Sequence, residues 1–490
     1  MCGIGGAWRV EAPGVDEALG ASLASLRHRG PDGEGRHVEP GVALGMRRLA
    51  IIDVEGGQQP VWNESGDVGV VLNGEIYTYV ELLRSLAAAG HRLRTRSDTE
   101  TLVHLYEDEG LGFVGSLRGM FSFALFDRPR RRLVLGRDRF GKKPLYYART
   151  PSGGLVFASE LKALRPLMEV AGLPVAIDDQ AIYDFLSLGA VPQPLTAFRG
   201  VRALPPGTLL VVDDEGLREE RYWRPSFAPK LDLSYRDAQS AVRGALAEAV
   251  RIRLRSDVPL GTFLSGGIDS TIVAYEAARE VGDTLRTFTV ASDDPEVDES
   301  AVAARTAARY GVRHTVLRLD VDPRRDLAYL VRQYDQPFAD PSAIPSLAVS
   351  RAAREHVIVV LNGDGGDELF GGYHRHRIGE AVWDRVSAVP RPLRKVASVL
   401  LKMPSTGAWS ALADALPDRY RPPMLGDKIG KLASVLPLDG PDDMYRRLVT
   451  HWPAAEGLVP GSVRRATAAE ELGSASGTTD PFHRARLMDA

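Results

Sequence analysis

Hydrophobic and polar residues follow two different patterns along this chain of 490 residues. Up to about Val212, apolar runs of strand length are separated by Gly-rich turns, and a few helical stretches interrupt them. Strands and helices mixed in this way predict an α+β layered domain. The predicted strands are Leu44–Asp53, Val68–Asn73, Phe121–Asp127, Arg132–Gly136, Pro144–Ala148 and Leu155–Ala158, and the predicted helices are Asp16–Leu26, Tyr79–Ala89 and Glu100–Glu109.

The pattern changes beyond a polar, Pro-containing stretch, residues 213–232, which is predicted to be a linker between domains 1–212 and 233–490. After it, short runs rich in Val, Ile and Leu alternate with helical stretches. This alternation predicts an α/β doubly wound domain, whose parallel sheet has helices on both faces. Ligands bind at the carboxyl ends of the strands in such sheets. The predicted strands are Val258–Leu264, Thr287–Val290, His314–Leu319 and Val357–Leu361.

A Gly-rich turn, Ser265–Ser270, follows the first of these strands. Glycine allows close backbone approach to a ligand, and N–H groups at a helix N-terminus bind phosphate. Asp269 adds a carboxylate for Mg²⁺ among phosphate oxygens. The turn lacks the Gly-Lys-Ser/Thr ending of a phosphate-binding P-loop and the three spaced glycines of a dinucleotide site. An ordinary strand-to-helix turn is the alternative, but Asp269 and Ser270 favour a nucleotide site.

A second Gly-rich loop, Asn362–Tyr373, follows the last predicted strand and carries Asp364, Asp367 and Glu368. Clustered carboxylates are costly without a cation or a basic group. A solvated acidic turn is the alternative. Asp367 together with Asp269 would provide oxygen ligands for magnesium on ATP phosphates, and Asp364 could position or deprotonate an attacking amine.

Composition and charge narrow the function classes. The formal net charge of -3 gives no electrostatic basis for binding nucleic acid or an anionic membrane. No apolar run approaches the roughly 20 residues of a membrane span, and no secretory signal is visible. A single cysteine excludes a framework of intrachain disulfides. We therefore expect a cytoplasmic enzyme with small-molecule substrates, for which a homodimer is one compatible assembly.

The single cysteine is Cys2. Removal of Met1 would place its thiol beside a free α-amine, whose ordinary pKa is near 8 and which can act as the base of an N-terminal nucleophile. The alternative is a small buried residue that happens to be second. Polar residues at predicted strand ends supply the other groups needed to hold an α-amino acid and attack its side-chain amide. They are a guanidinium for the carboxylate, a carboxylate for the amine, and an Asn side chain with a Gly N–H for the oxyanion. Considered singly, Asp98 could be a helix cap and Asn73-Gly74 a hairpin turn.

The motifs Met1–Ile4, Arg27–Asp32, Arg48–Asp53, Asn73–Tyr77 and Ser97–Glu100 resemble the class II glutamine amidotransferase domain. The resemblance implies an N-terminal nucleophile (Ntn) hydrolase fold, an αββα sandwich, with Cys2 as nucleophile and Asn73 and Gly74 as oxyanion hole. The basic residues in Asp138–Tyr147 are expected to line an interface or channel. The residues that the resemblance assigns to glutamine binding are Arg48, Leu49, Ala50, Ile51, Ile52, Asn73, Gly74, Glu75 and Asp98.

From about Ala190 onward the chain resembles the synthetase domain of glutamine-hydrolysing asparagine synthetases, an ATP pyrophosphatase. The motifs are Ser265–Ser270, Asp298-Glu299, Gln336–Ser342 and Gly363–Tyr373. The resemblance implies that ATP activates the aspartate β-carboxylate and that channelled ammonia displaces AMP. It also implies magnesium ligands Asp269 and Asp367 and a catalytic Asp364. The implied ATP-binding residues are Leu264, Ser265, Gly266, Gly267, Asp269, Ser270, Val290, Asn362 and Gly363.

One departure concerns the C-terminal region. The family continues into a Lys-x-Asp-Arg-x-Ser-Met motif and a Glu-Val-Arg-x-Pro motif, and neither occurs here. We expect a truncated C-terminus; if the length is complete, the synthetase reaction would be slow while glutamine hydrolysis could continue. Three functions stay open: asparagine synthesis, amide transfer to another carboxylic acid of a natural-product or polysaccharide pathway, and a glutaminase-only partner subunit.

Overall fold

The computed structural model describes residues 1–292, 294, 298–414, 425–452, 455–475, 478, 480 and 485. The chain divides into two compact units. The first unit consists of Met1–Ile182, Ala190–Arg224 and Leu231–Gly363. The second consists of Tyr183–Gly189, Pro225–Lys230 and Asp364–Ala490.

The N-terminal part of the first unit, up to Arg224, is called the sandwich below. Its strands are β1 Gly3–Trp8, β2 Gly33–Glu39, β3 Val42–Arg48, β4 Val61–Trp62, β5 Val68–Ile76, β6 Gly119–Asp127, β7 Arg132–Arg137, β8 Tyr146–Arg149, β9 Leu155–Ala158, β10 Val201–Ala203, β11 Thr208–Asp213 and β12 Gly216–Arg221. The helices in the same stretch of the chain are α1 Val15–Ser25, α2 Tyr79–Ala89, α3 Glu100–Glu109, α4 Leu161–Val170 and α5 Asp179–Leu188.

Two antiparallel sheets form the centre of the sandwich, in the orders β10-β8-β9-β1-β3-β2 and β12-β11-β7-β6-β5-β4. The period-2 alternation of a strand decides which layer each side chain enters. In β5, Val70 and Leu72 pack with helices α2 and α3, whereas Val71 packs between the two sheets. Helices α1 and α4 cover the outer face of the first sheet. This arrangement confirms the predicted αββα sandwich.

Two predicted boundaries in the sandwich were wrong. The predicted strand Leu44–Asp53 ends at Arg48, because the next residues leave the sheet and form a loop. The predicted linker 213–232 contains β12, which pairs along its length with β11 and extends the second sheet. Tyr222 also donates its hydroxyl to the carbonyl of Arg137 at 2.7 Å. Hydrogen bonding to the sheet therefore continues past residue 212.

The remainder of the first unit carries a parallel sheet. Its elements are α6 Tyr235–Arg253, β13 Leu260–Phe263, α7 Ile268–Val281, β14 Arg286–Val290, α8 Ser300–Tyr310, β15 Arg313–Leu317, α9 Pro323–Tyr334, α10 Ala343–Arg354 and β16 Val359–Leu361. The strand order is β15-β14-β13-β16, with every neighbouring pair parallel. Helices α7 and α8 pack in one apolar cluster and α10 in another, so helices cover both faces. The predicted α/β doubly wound domain is confirmed.

The second unit is helical where the structure describes it. Its helices are α11 Gly366–Phe370, α12 His374–Ser387, α13 Arg391–Lys402, α14 Thr406–Asp414, α15 Leu425–Val435, α16 Pro441–Val449 and α17 Ala468–Ala475. Among the helices in the described part of the chain, none has both the length and the apolar character that crossing a bilayer requires.

Candidate functional site

Cys2 immediately precedes β1, which lies inside the first sheet between β9 and β3. Its side chain is buried, and its Sγ lies 3.4 Å from the backbone nitrogen of Leu49, which donates to it, and 3.6 Å from the Leu49 carbonyl. Burial raises the pKa of the Cys2 thiol, while the hydrogen bond from the Leu49 N–H opposes that rise. The thiol therefore needs a base at hand to become a nucleophile.

The α-amine at the start of the chain is suited to be that base. Burial, together with the positive charges of Lys143 and Arg29 and against the opposing charge of Cys2, lowers the pKa of the Met1 α-amine to about 5. An amine in this environment is neutral at physiological pH and can accept a proton. Removal of Met1 would leave the amine on Cys2 itself, beside its own thiol.

Arg48 explains why the strand stops where it does. Its buried guanidinium donates to the carbonyls of Ile52 at 3.0 Å, Asp53 at 2.6 Å and Val54 at 2.9 Å. These bonds fold residues 49–54 back over the end of β3. The predicted glutamine-binding residues Leu49, Ala50, Ile51 and Ile52 all lie in this loop, where Leu49 contacts Cys2.

Asn73 and Gly74 lie within β5, so the alternative of a hairpin turn is wrong. Asn73 is fully buried, and its Nδ2 lies 3.4 Å from the hydroxyl oxygens of Ser122 and Ser159. A Cβ added to Gly74 would lie 2.1 Å from the Met120 carbonyl oxygen, so only glycine fits at that point. The predicted oxyanion donors therefore stand on a rigid central strand of the second sheet.

Glu75 and Asp98 form a pair of interacting carboxylates, of which Asp98 is buried and Glu75 half-buried. Burial raises the pKa of Asp98 to about 6, and burial with the Asp98 charge raises the pKa of Glu75 well above its usual value. The Asp98 carboxylate accepts the Ile76 N–H at 2.8 Å, and helix α3 begins without a side-chain cap bond, so the helix-cap alternative does not apply. A ligand ammonium group would relieve the repulsion between the two carboxylates.

Three charged residues near Cys2 were given no part in the glutamine site by the sequence, which assigned only Lys143 a role, in an interface or channel. Arg29 donates its Nε to the Cys2 carbonyl at 2.8 Å and its Nη1 to Glu160 at 2.8 Å. Despite burial, hydrogen bonding to His28 and the Arg29 charge lower the pKa of Glu160 to about 2. Burial lowers the pKa of the Lys143 ammonium to about 8. Charged residues on otherwise apolar strand ends were the only signal available, and they did not indicate which partners would meet.

The sandwich and the parallel-sheet part of the first unit share hydrogen bonds at residues 49–54, which are called the glutamine loop below after their predicted role. Asp53 donates its N–H to the Asp257 carboxylate at 2.7 Å, and Asp257 donates its N–H to the Ile51 carbonyl at 3.0 Å. A second contact between the two parts is an ion pair of Lys162 in the sandwich with Asp335, which follows α9. The Lys162 Nζ lies 3.0 Å from the Asp335 carboxylate and 2.7 Å from that of Glu160. The glutamine loop is therefore tied directly to the residues that precede β13.

The turn after β13 is held in shape by hydrogen bonds among its own residues and to Glu299. Ser265 donates its N–H to the Ser270 hydroxyl at 3.1 Å, and Gly267 donates its N–H to the Ser265 hydroxyl at 3.0 Å. Helix α7 begins at Ile268, so Asp269 and Ser270 belong to its first turn rather than to the turn before it. The Gly266 N–H donates to the Glu299 carboxylate at 2.8 Å, so an anionic group already occupies one loop donor. The backbone N–H groups of Ser265, Gly266 and Gly267 therefore all have acceptors within the protein.

This turn lies where the strand order reverses, because β13 is flanked by β14 and β16. Gly363, two residues beyond β16, approaches the start of α7 so closely that an added Cβ would lie 2.8 Å from the Ser270 nitrogen. Leu264 is buried, and Val290 ends the adjacent strand β14. Most of the predicted ATP-binding residues, including Asn362 beside Gly363, therefore meet at the carboxyl edge of the sheet.

Asp364 and Asp367 belong to the second unit, whereas Asp269 belongs to the first. Gly365, between them in sequence, has a φ of 95°, and helix α11 starts at the next residue. Asp367 lies in the first turn of that helix and packs against Gly372. Magnesium binding by Asp367 with Asp269, and a catalytic role for Asp364, stay predictions.

A cysteine at position 2 leading into an αββα sandwich, followed by a Gly-rich turn at the carboxyl edge of a parallel sheet, is the arrangement of an Ntn-type amidotransferase domain joined to an α/β domain. A family model described as a glutamine amidotransferase domain matches residues 1–223, and one described as asparagine synthase matches residues 241–490. The chain belongs to the asparagine synthase family.

Curated relatives include glutamine-hydrolysing asparagine synthetases and a protein named an amidase. Glutamine-hydrolysing asparagine synthetase 1 of Bacillus subtilis is 36% identical over 409 residues, 82% of this chain and 64% of the relative. A Methanocaldococcus jannaschii protein named for the same activity is 33% identical over 428 residues, 82% of this chain and 81% of the relative. The amidase chyE of Penicillium rubens is 31% identical over 444 residues, 82% of this chain and 62% of the relative.

The chain thus spans a little under two thirds of the Bacillus and Penicillium relatives. Among solved structures, a glutamine phosphoribosylpyrophosphate amidotransferase from B. subtilis matches with a TM-score of 0.35 at 18% identity, covering 64% of this chain and 81% of that one. A TM-score of that size supports no argument about function.

Proposed function

We propose that this chain catalyses glutamine-dependent, ATP-dependent formation of an amide from a carboxylic acid. The observation that carries the proposal is that one compact unit holds both a buried Cys2 thiol near the chain's α-amine and a Gly-rich turn where the strand order of a parallel sheet reverses. The first site supplies the means of releasing ammonia, and the second the means of activating a carboxylate with ATP.

In the first half-reaction, the α-amine takes the Cys2 proton and the thiolate sulfur attacks the side-chain amide carbon of glutamine. Asn73 and the Gly74 N–H stabilise the oxyanion that develops on the amide oxygen. The ammonium of the amine then protonates the leaving nitrogen, which departs as ammonia, and water hydrolyses the thioester to glutamate. Arg48 and the loop Leu49–Ile52 hold the substrate carboxylate, while Glu75 and Asp98 pair with its ammonium group.

In the second half-reaction, a carboxylate oxygen of the acceptor attacks the α-phosphorus of ATP and pyrophosphate leaves. Ammonia then attacks the acyl carbon, and AMP departs with the bonding electrons. Ser265–Ser270 would hold the pyrophosphate at the N-terminus of α7, with Leu264, Val290, Asn362 and Gly363 around the nucleotide. Asp364 would position or deprotonate the ammonia.

Asp269 and Asp367 offer carboxylate oxygens, the hard ligands that magnesium prefers when it bridges phosphates. The donor chemistry therefore fits a magnesium ion carried with ATP. The bound cation would neutralise charge on the departing pyrophosphate. Asp269 contributes from the first turn of α7, where the Gly-rich turn presents its N–H groups.

Aspartate is the first candidate acceptor, with asparagine as product, because relatives of 36% and 33% identity are named asparagine synthetases. A different carboxylic acid is the second candidate, since relatives of 31% and 34% identity are named amidases. We also propose a cytoplasmic location, in keeping with the small net charge of -3. A homodimer remains a prediction.

The proposal is tested by separating the two half-reactions. Cys2→Ala should abolish glutamine-dependent product formation and leave ammonia-dependent formation intact, because ammonia bypasses the thiol. Equal loss of both activities would contradict the role of Cys2. Release of AMP and pyrophosphate with aspartate, measured beside a panel of other carboxylic acids, identifies the acceptor.

Asp269→Ala should remove ATP-dependent pyrophosphate release and leave glutamine hydrolysis. Asp283→Ala is a matched control, since Asp283 lies beyond the far end of α7. Pyrophosphate release that survives in the Asp269 variant would refute the nucleotide site. Glutamine hydrolysis without pyrophosphate release from any acid would favour a glutaminase-only protein.

A further inference from the structure

A cluster of metal-ligating side chains lies on the helix-covered face of the second sheet. It consists of Glu64, His91, His104 and Glu107, whose ligand atoms all lie within 4.8 Å of one another. Glu64 stands in the turn before β5, His91 follows α2, and the other two are one turn apart on α3. Three segments that are separate in sequence therefore converge on one point, and neither proposed half-reaction uses them.

The spacing of the ligand atoms suits a tetrahedral ion. His91 Nδ1 lies 3.3 Å from Glu64 Oε1, and His104 Nδ1 lies 3.3 Å from Glu64 Oε2 and 3.2 Å from Glu107 Oε2. Ligand atoms bound to zinc at about 2.0–2.1 Å in a tetrahedron are about 3.3 Å apart. Closure of the remaining gaps requires side-chain movements on the order of 1 Å.

Both imidazoles have a carboxylate on their other ring nitrogen. His91 Nε2 lies 3.2 Å from Asp108, and His104 Nε2 lies 3.5 Å from Glu100. Metal-binding histidines usually donate their second N–H in this way, which fixes the tautomer and directs the free lone pair toward the ion. The cluster thus shows the carboxylate–histidine arrangement at each of its two nitrogen ligands.

The two carboxylate ligands are also held in place. Asn63 donates its Nδ2 to Glu107 Oε1 at 2.6 Å, which leaves the other oxygen, Oε2, toward His104. Arg92 donates its backbone N–H to Glu64 Oε1 at 2.9 Å. Each ligand is therefore oriented by a group outside the set.

Charge also favours a cation. Four carboxylates, those of Glu64, Glu100, Glu107 and Asp108, surround two imidazoles, so negative charge exceeds positive even when both rings are protonated. His104 and Glu100 are 1% exposed, whereas the side chains of Glu64 and Glu107 are 32% and 30% exposed, so the excess negative charge lies at a partly buried site. A divalent ion bound to neutral imidazoles would balance these charges better than two protons would.

We propose that Glu64, His91, His104 and Glu107 bind one divalent transition-metal ion, for which zinc is the best match by donor type and spacing. The site would clamp α3 to the end of α2 and to the turn before β5. Helix α3 directly follows Asp98, so the ion would hold that carboxylate in register with Glu75. Its role is structural, because none of the four ligands contacts Cys2 among the described hydrogen bonds and ion pairs.

The test compares the full-length wild-type chain with His91→Ala, Glu107→Gln and His37→Ala. The last is a matched control, because His37 contacts a single carboxylate, Glu39, at 3.1 Å. Each protein is stripped with a chelator, equilibrated with zinc without ATP or magnesium, and assayed for bound zinc and thermal midpoint. We expect one zinc ion per chain and a rise of several degrees in the wild type and His37→Ala, and more than tenfold weaker zinc binding in the other two.

Two further measurements make the outcome decisive. Cys2→Ala should keep the zinc stoichiometry, which separates the cluster from the thiol. Cobalt added to the stripped wild type should give the visible spectrum of tetrahedral nitrogen and oxygen ligation. Absence of stoichiometric zinc in the wild type, loss of zinc in Cys2→Ala, or equal affinity in His91→Ala, Glu107→Gln and His37→Ala would each overturn the proposal. If the ligand variants do not fold, the wild-type stoichiometry and the cobalt spectrum decide it.

Discussion

Replacement of Asp98 by Asn should raise stability and lower glutamine use at the same time. Burial raises the pKa of Asp98 from 3.8 to about 6, so the folded protein holds an unfavourable negative charge at neutral pH. At 1.36 kcal/mol per tenfold change in acidity, that difference corresponds to on the order of 3 kcal/mol. The Asn carbonyl oxygen can still accept the Ile76 N–H, so the main change is loss of the charge.

The pH dependence of this effect has a definite sign. A carboxyl group whose folded-state pKa is raised binds more protons in the folded than in the unfolded chain. The Asp98 charge therefore lowers the free energy of unfolding by its full amount above about pH 6, and this destabilisation disappears as the pH falls toward 3.8. The stabilisation of Asp98→Asn should therefore be largest at pH 8 and absent near pH 4. For a domain of this size, about 2–4 °C per kcal/mol gives an upper limit of roughly 6–12 °C.

The assay is the thermal midpoint followed by tryptophan fluorescence at pH 8 and pH 4, beside glutamine kinetics. Asp213→Asn is the control of opposite sign: despite some burial, hydrogen bonds from Arg218 and Arg132 lower the pKa of Asp213. That variant should lose stability at pH 8, with a smaller loss at pH 4. Loss of a charge-assisted bond of about 1.5–3 kcal/mol should lower kcat/KM for glutamine about 10- to 100-fold in Asp98→Asn. A variant that is less stable at pH 8, or that keeps wild-type kcat/KM, would refute the reasoning.

Three other substitutions test the remaining contacts. Gly74→Ala should cost at least 100-fold in glutamine hydrolysis while ammonia-dependent synthesis persists, because its Cβ would lie 2.1 Å from the Met120 carbonyl oxygen; near-normal hydrolysis would contradict the close approach. Asp257→Ala should raise KM for glutamine and leave KM for ammonia unchanged, since the glutamine loop loses one anchor; a parallel change in both would show a general effect on folding. Lys162→Met should lower the thermal midpoint, and a double-mutant cycle with Asp335→Asn should give a coupling energy of about 0.5–3 kcal/mol, whereas strict additivity would show that the pair contributes nothing.

The sequence by itself determined the layered architecture and the identity of the chemical groups. Helices Tyr79–Ala89 and Glu100–Glu109 were predicted with the bounds that the structure shows, because their apolar positions follow the helical period over two or more turns. The parallel sheet and its Gly-rich turn were also predicted, since apolar runs separated by helices leave few other arrangements. Strand β1 was not predicted, because glycine is depleted in strands and four of the first six residues after Cys2 are glycine or alanine.

Tertiary structure alone decided what the polar groups contact. Arg48 ends its strand and folds residues 49–54 into the glutamine loop, whereas local pattern predicted that the strand would continue to Asp53. The metal-ligand cluster unites residues 64, 91, 104 and 107, whose separation along the chain carries no signal of proximity. Hydrophobic periodicity is a local property, because each helix or strand must bury one face, so it can be recognised from the sequence. The meeting of polar side chains depends on loop paths and strand register, which only the folded chain specifies.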